Sequence, residues 1–377
     1  MIRTYKYRLY PTKKQFHLLD ELLFQMQAVY NDALNERRWY WQRSRRSITY
    51  YDQWARLRDL RHESPDEMGM LNATSMQQML RRVDKAYKAF YKGQRGHPRF
   101  KGRNRFKSVE YRHRDGCRLR EDRLYVQNVG QVKVKLHPDI ADGATIKQVV
   151  IKRDAGKWYA CLMLEMPDIA IPVHTGPTVG IDVGISSLLA LSDGTLINNP
   201  RWYKRALAKR RRLNRKLARQ KRYGSGWRKT VQQIARNEEH IANQRRDFWH
   251  KTTRTLVNTH SAIAVENLPL AFMTRNGSLA QAAHDAGLGI FFDLLGYKAE
   301  ETGSKVIKVD PKNTSQMCSG CGQIVAKGLS VRVHRCDCGL EIDRDVNAAR
   351  NIHALGLSVE ALTWPVAACV VDDSKLS

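Results

Sequence analysis

The sequence predicts a multidomain α/β protein, and three observations predict it. The residues up to 166 pass from long helical periodicities into a series of short strands of period two. A proline-bearing stretch, residues 167–177, then interrupts the pattern. Beyond it the order becomes strand, strand, strand, helix, strand, helix, strand, with a cysteine cluster set before a last helix. The 377 residues are enough for two or three domains, and 42% apolar residues can supply their cores.

Residues 2–10 alternate basic with apolar or aromatic side chains, a strand that Pro11 ends. Thr12 and Gln15 have the spacing of a capping box. They open a helix expected to reach about Arg46, with Phe16, Leu19, Leu22, Leu23, Met26, Val29, Tyr30 and Leu34 inward. A second helix is expected near 50–62. A third, over 75–92, carries Met79, Val83, Tyr87 and Tyr91 on one side. Residues 93–108 have no period and read as a loop in which Phe100 and Phe106 stand between basic residues. That mix suits phosphate contact with base stacking, and equally a solvated loop.

From 109 to 166 short strands alternate with turn residues at 128–130, 142–143 and 154–156, which predicts a small antiparallel sheet or barrel. Residues 167–177 mark the domain boundary. Val179–Val183 is an apolar strand that holds Asp182 between Gly180 and Gly184. Asp193-Gly194 joins the next two strands as a hairpin.

Residues 201–229 hold 14 Lys or Arg and no acid, with a thin stripe of Leu207, Leu213 and Leu217. This is a basic helix. A turn at 224–226 leads to a second helix with Trp227, Val231, Ile234, Ile241, Phe248 and Leu256 on one side. Residues 261–268 form a buried strand ending at Glu266. A helix over 279–301, which Gly287 and Gly289 can break, precedes a strand at 305–311. The last helix opens at Asp343 and Asp345, and Gly356 is expected to end it.

The net charge is +28 and the isoelectric point about 10.0. Such an excess calls for a polyanionic partner, nucleic acid first and a membrane surface second. No apolar run approaches the roughly 18 residues of a spanning helix, and the first residues read as a strand rather than a signal peptide. A cytoplasmic, nucleoid-associated protein is expected. Of the seven cysteines, four lie within residues 318–338, which points to a metal site in a reducing compartment. Cys117, Cys161 and Cys369 read as ordinary apolar residues.

Two constellations carry chemistry. Cys318, Cys321, Cys336 and Cys338 have the pattern of a structural zinc site, although the second pair is C-x-C and His334 is an alternative ligand. The acids form the other. The strand order after the boundary is that of an RNase H-like domain, in which the first and fourth strands are neighbours and the last helix crosses them. Asp182, Glu266 and one of Asp343 and Asp345 then converge on cations. Two Mg²⁺ ions would serve to hydrolyse a phosphodiester. Spacing alone leaves the choice between the two aspartates open.

The chain resembles the TnpB family, insertion-sequence-encoded RNA-guided nucleases related to the type V CRISPR effectors. The resemblance lies in YRLYPTKKQ, PRFKGR, GIDVG, VENL, YKAEETG, TSQMCSGCG and CGLEIDRDVNAARNI, which span nearly the whole chain. It implies a wedge-like β-barrel over 1–10 and 105–170, with a helical recognition insertion at 11–104. It also implies a RuvC-like nuclease domain over 171–317 and 339–356, interrupted by a zinc ribbon at 318–338 and followed by a tail at 357–377. Carried over by position, Asp182, Glu266 and Asp345 are the catalytic, magnesium-binding acids, and Cys318, Cys321, Cys336 and Cys338 hold zinc. The partners implied are a transposon-derived guide RNA and a double-stranded DNA target with a short adjacent motif. A transposase that joins DNA ends and a non-cleaving RNA-guided regulator are the competing functions. Arg99, Phe100, Lys101 and Arg103 in the loop, and Lys209, Arg210, Arg211, Arg212, Arg215 and Lys216 on the basic helix, are expected to grip nucleic acid. Thr74, Gln77 and Gln78 are expected to read the target-adjacent motif.

Overall fold

The computed structural model describes residues 2–68, 71–103, 105–137, 139–167, 171, 174–268, 277–328 and 331–363. The chain divides into two compact units, Met1–Ile169 and Ala170–Ser377, and the boundary falls inside the proline-bearing stretch. Cys369 and most of the expected tail lie outside the described residues.

The first unit is a closed barrel with helices inserted after its first strand. Strand β1 (Ile2–Tyr10) pairs antiparallel with β5 (Gly130–Lys135) on one side and with β7 (Lys157–Glu165) on the other. Strands β4 (Arg123–Val126), β3 (Gly116–Arg120), β2 (Ser108–His113) and β6 (Thr145–Asp154) complete the order β1-β5-β4-β3-β2-β6-β7. Closure leaves no exposed sheet edge. The pattern is antiparallel, as expected, except for β2 and β3, which pair parallel where Arg114 (φ 69°) and Gly116 (φ 74°) turn the chain.

The insertion holds α1 (Lys13–Ser44), α2 (Tyr50–Glu63), a short α3 (Pro65–Met68) and α4 (Ala73–Tyr91). Thr12 and Gln15 form the capping box: Thr12 Oγ1 accepts the Gln15 N–H at 3.3 Å, and Gln15 Oε1 accepts the Thr12 N–H at 3.0 Å. The inward residues of α1 are buried as the period predicts, except Phe16, which is partly buried against the core. Two expectations need correction. Tyr91 is exposed at the helix end, stacked on Tyr87, and Phe106 is a core residue rather than a free ring of the loop.

The second unit is built on a five-stranded sheet of order β10-β9-β8-β11-β12. Strands β8 (Thr178–Val183), β9 (Ser187–Leu191) and β10 (Leu196–Asn198) run antiparallel. Strands β11 (Ala262–Glu266) and β12 (Lys305–Val309) add parallel to β8. This is the RNase H-like order. Helices α5 (Trp202–Ala218) and α6 (Ser225–Thr259) join β10 to β11. Helices α7 (Gly277–Ala286) and α8 (Leu288–Thr302) lead into β12, and the break between them falls at Gly287 (φ 67°). The inner face of α6 is more polar than its apolar period suggests. Thr230 and Asn237 are buried with Ile241, Trp249 and Leu256, while Val231 is exposed.

A hairpin of β13 (Val333–Arg335) and β14 (Glu341–Asp343) follows the first cysteine pair, so the ribbon extends past residue 338. The last helix, α9 (Arg344–Thr363), runs straight through Gly356. That glycine is not a helix stop. A Cβ there would lie 2.5 Å from Ala264 Cβ, so its bare backbone is what lets α9 lie close against β11.

Candidate metal and nucleic-acid sites

Strands β8 and β11 hold two of the three acids side by side. Their last register pair is Ile181 with Val265, and Asp182 and Glu266 are each the next residue. The third acid comes from α9, which crosses the same two strands. Gly180 permits the crossing, since a Cβ there would lie 2.2 Å from the Ala349 carbonyl oxygen. At the helix start the two aspartates part company. Asp343 Oδ1 accepts the N–H groups of Asp345 at 2.8 Å and Val346 at 3.3 Å, the geometry of a helix cap. Asp345 keeps its carboxylate free of the cap, with Arg332 Nη1 3.8 Å from its Oδ2.

The electrostatics tie the three acids together. Burial, then the charges of Glu266 and Asp345, push the Asp182 carboxyl up to about 8. Burial also raises Glu266, against the hydrogen bond from Thr314. Asp345 is raised by burial and by Asp343, with Arg332 and Arg344 pulling the other way. Carboxylates pushed toward their neutral forms in this way suit divalent cations, which offset both the repulsion at Asp182 and the desolvation cost. Among the described residues, no group containing these acids is gathered as tightly as the cysteines, whose sulfurs lie within 4.8 Å of one another. A pair of ions about 3.5–4 Å apart needs a wider donor set than one ion does.

The cysteine site is closed. Cys318 Sγ lies 3.7 Å from Cys338 Sγ, and Cys321 Sγ lies 3.5 Å from Cys336 Sγ. A tetrahedral zinc with Zn–S bonds of about 2.3 Å requires edges of about 3.8 Å. Each pair sits on a tight turn. Gly322 N–H donates to the Cys318 carbonyl at 2.9 Å, and Gly339 N–H to the Cys336 carbonyl at 2.9 Å, with both glycines at positive φ. The C-x-C pair supplies both sulfurs, so His334 is not needed as a ligand. It is fully buried, with Lys327 Nζ on its Nδ1.

The residues expected to hold nucleic acid are less uniform. On α5, Lys209, Arg211, Arg212, Arg215 and Lys216 are exposed. Arg210 is not free, because it donates to the Tyr203 hydroxyl at 2.7 Å and pairs with Glu238 at 3.4 Å. The arm is anchored at its start by buried Asp285, which accepts the Tyr203 N–H at 2.9 Å and pairs with Arg245 at 3.1 Å. The loop at 93–108 is pinned to α1. Asn31 both accepts from the Lys101 N–H at 2.9 Å and donates to its carbonyl at 3.1 Å. Lys101 stands over Tyr30, Arg38 over the half-exposed ring of Phe100, and Arg103 over Phe24. Arg99 is exposed. Thr74 donates its hydroxyl hydrogen to Asp115, which leaves its oxygen as an acceptor. Gln77 and Gln78 are half-buried. No helix among the described residues is long and apolar enough to cross a membrane.

Family models match three stretches: a "Helix-turn-helix domain" over residues 1–46, a "Probable transposase" over 162–277 and a "Cas12f1-like, TNB domain" over 289–352. A Streptomyces pristinaespiralis protein named "Putative RNA-guided DNA endonuclease" is 33% identical over 367 residues, covering 95% of this chain and 90% of that protein. The chain belongs to the TnpB family. A second TnpB-family relative, from Escherichia coli (strain K12) and named "Putative RNA-guided DNA endonuclease InsQ", is 30% identical over 306 residues, 76% of this chain and 75% of that one. The fold is similar to that in a cryo-EM structure of a Cas12f1–sgRNA–target DNA complex, with a TM-score of 0.58 at 16% identity over 91% of this chain and 83% of that one. In this TnpB-family chain the stretch matched as helix-turn-helix is a strand followed by one 32-residue helix.

Four residues at the sites escaped the sequence reading: Arg332, Thr314, Asn347 and Asn351. Asn347 and Asn351 sit one turn apart on α9 and are buried. Two asparagines four residues apart, in a helix whose apolar period carries Ala348, Ala349, Ile352 and Leu355, were the available signal.

Proposed function

We propose that this TnpB-family chain is an RNA-guided double-stranded DNA endonuclease whose chemistry is done by Asp182, Glu266 and Asp345. The observation that carries the reading is the convergence of three carboxylates, from two adjacent strand ends and one helix start, in which the charges of Glu266 and Asp345 add to burial in raising Asp182. Two Mg²⁺ ions held by these acids would activate a water and stabilise the leaving oxygen of a phosphodiester. The chain's own contribution is to fix the donors. The sheet register sets Asp182 beside Glu266, and Asp343 takes the capping duty so that Asp345 is left for the site. Four cysteines hold a structural zinc, Cys318, Cys321, Cys336 and Cys338.

Sequence specificity is delegated to guide pairing, so the protein mainly grips backbones. The exposed row Lys209, Arg211, Arg212, Arg215 and Lys216 suits that task, with Arg99, Lys101, Arg103 and Phe100 as a second contact. The barrel serves as the wedge and the helices 13–91 as the recognition insertion. Thr74, as an acceptor, and Gln77 and Gln78 are the residues offered to the target-adjacent motif.

The test is to purify the chain, sequence the RNA that accompanies it, and add Mg²⁺ and a DNA matching that guide. The wild type should cut both strands. Asp182→Ala and Glu266→Ala should lose at least on the order of a thousandfold in rate, about 4 kcal/mol of transition-state stabilisation, while binding RNA and target as before. Joining of DNA ends without RNA would support a transposase instead, and guided binding without cutting a regulator.

A further inference from the structure

Glu266 is 8% exposed, and a carboxylate so placed needs a donor to hold it. The donor is Thr314, itself 2% exposed, whose hydroxyl donates to Glu266 Oε1. The same hydroxyl lies 3.1 Å from the Pro311 carbonyl, but it has one hydrogen to give, and a carboxylate is the stronger acceptor.

Thr314 belongs to a turn between β12 and the first cysteine pair, so its own secondary structure does not fix it. Helix α9 does. Asn351 Nδ2 donates to the Thr314 carbonyl at 2.8 Å and to the Met317 carbonyl at 2.7 Å. Asn347 Nδ2 donates to the same Met317 carbonyl at 2.7 Å, and Asn347 Oδ1 accepts the Ser319 N–H at 2.9 Å. The two asparagines are 0% and 3% exposed. Cys318 stands between Met317 and Ser319, so the clamped segment carries Glu266's donor at one end and a cysteine of the closed site at the other. The clamping helix is the one that carries Asp345 in its first turn.

We propose that Thr314 is a positioning residue for the nuclease site. Clamped by Asn347 and Asn351 between α9 and the first cysteine knuckle, it sets the Glu266 carboxylate relative to Asp345. The proposal rests on the nuclease reading above. The zinc-binding turn then shapes the acid site through one hydroxyl, beyond folding its own ribbon.

The experiment compares Thr314→Val, which keeps the shape and removes the donor, with Thr314→Ser, which keeps the donor. Both are prepared as guide-RNA complexes, with thermal midpoint and zinc content measured. Guided cutting is followed across a Mg²⁺ titration. Mn²⁺ binding is read from the loss of the free-ion electron paramagnetic resonance signal, with the Asp345→Ala complex as the blank for ions held by RNA. Residues that orient metal ligands typically contribute about 10–100-fold to metal affinity or activity. The valine complex should therefore cut roughly tenfold or more slowly, need several times more Mg²⁺ and bind Mn²⁺ more weakly. It should keep its zinc, RNA and target, and the serine complex should match wild type. Wild-type Mn²⁺ binding and cutting in the valine complex would overturn the proposal. So would equal losses in valine and serine, which would mark a packing role. If the wild type does not cut guided DNA, the nuclease reading fails, and the Mn²⁺ comparison still decides whether Thr314 orients the acid.

Discussion

The cysteine cluster and the acid cluster are built in opposite ways. The sulfurs come from residues 318–338 and are held by two short knuckles whose own backbone hydrogen bonds shape them. The acids come from residues 182, 266 and 345 and meet only because two strands share a register and a helix crosses both through Gly180 and Gly356. The sulfurs close a shell, with nothing left open to a substrate. The acids are each pushed toward the neutral form by burial, and Asp182 also by the charges of Glu266 and Asp345. One centre supplies stability and the other draws on it. That contrast is the one expected between a structural metal site and a reactive one within a single fold.

The comparison breaks most visibly at the zinc site. Binding of structural zinc is worth on the order of 10 kcal/mol in small fingers, so Cys336→Ser should leave the protein well short of one zinc equivalent by metal analysis. The same variant should lower the thermal midpoint and destabilise the ribbon by several kcal/mol, roughly the scale of losing a structural metal. A full equivalent of zinc retained by this variant would remove Cys336 from the ligand set.

The acid site should answer with the opposite sign. Asp182 ordinarily titrates near 3.8 and is raised to about 8 in the fold. Between those values the folded chain keeps the proton that the unfolded chain gives up, so stability falls as pH rises from about 4 to about 8. Asp182→Asn mimics the protonated form at every pH. In metal-free protein it should match wild type near pH 4 and exceed it near pH 8, by roughly 2–5 kcal/mol, while abolishing cutting. Chemical denaturation at the two pH values reads this directly. Added Mg²⁺ should narrow the gap by favouring the ionised wild type.

Much of this was legible in the residues, and the failures have a common cause. Thr12 with Gln15, Asp193-Gly194 and Gly287 are local signals, and each punctuates the chain where its own backbone chemistry requires. The acids were legible because an aspartate in Val-Gly-Ile-Asp-Val has no bland use. Gly356 was misread because a glycine after an apolar period usually ends a helix, whereas here it serves a close approach to Ala264 from a distant strand. Phe106 was misread for the same reason, and the intrachain partners of Arg210 and Thr74 were equally invisible. Their partners, the barrel core, Tyr203 with Glu238, and Asp115, become neighbours only when the chain folds. Thr314 has no sequence signal of its own, since its meaning lies in Glu266 and in two asparagines on a later helix.

The smallest expected effect is the sharpest test of how the two aspartates divide their work. Asp343 accepts two helix N–H groups, so Asp343→Ala removes a cap and should cost about 1 kcal/mol of stability. Cutting should persist within several-fold of wild type, because the Asp345 carboxylate is untouched. Asp345→Ala should do the reverse, losing cutting altogether while stability holds or rises with the relief of a buried charge beside Asp182. Thermal midpoints and guided cleavage rates of the two variants, measured together, distinguish the assignments. If Asp343→Ala abolishes cutting and Asp345→Ala only lowers the midpoint, the roles are exchanged, and the acid site would be built from the residue that closes β14 rather than from the first turn of α9.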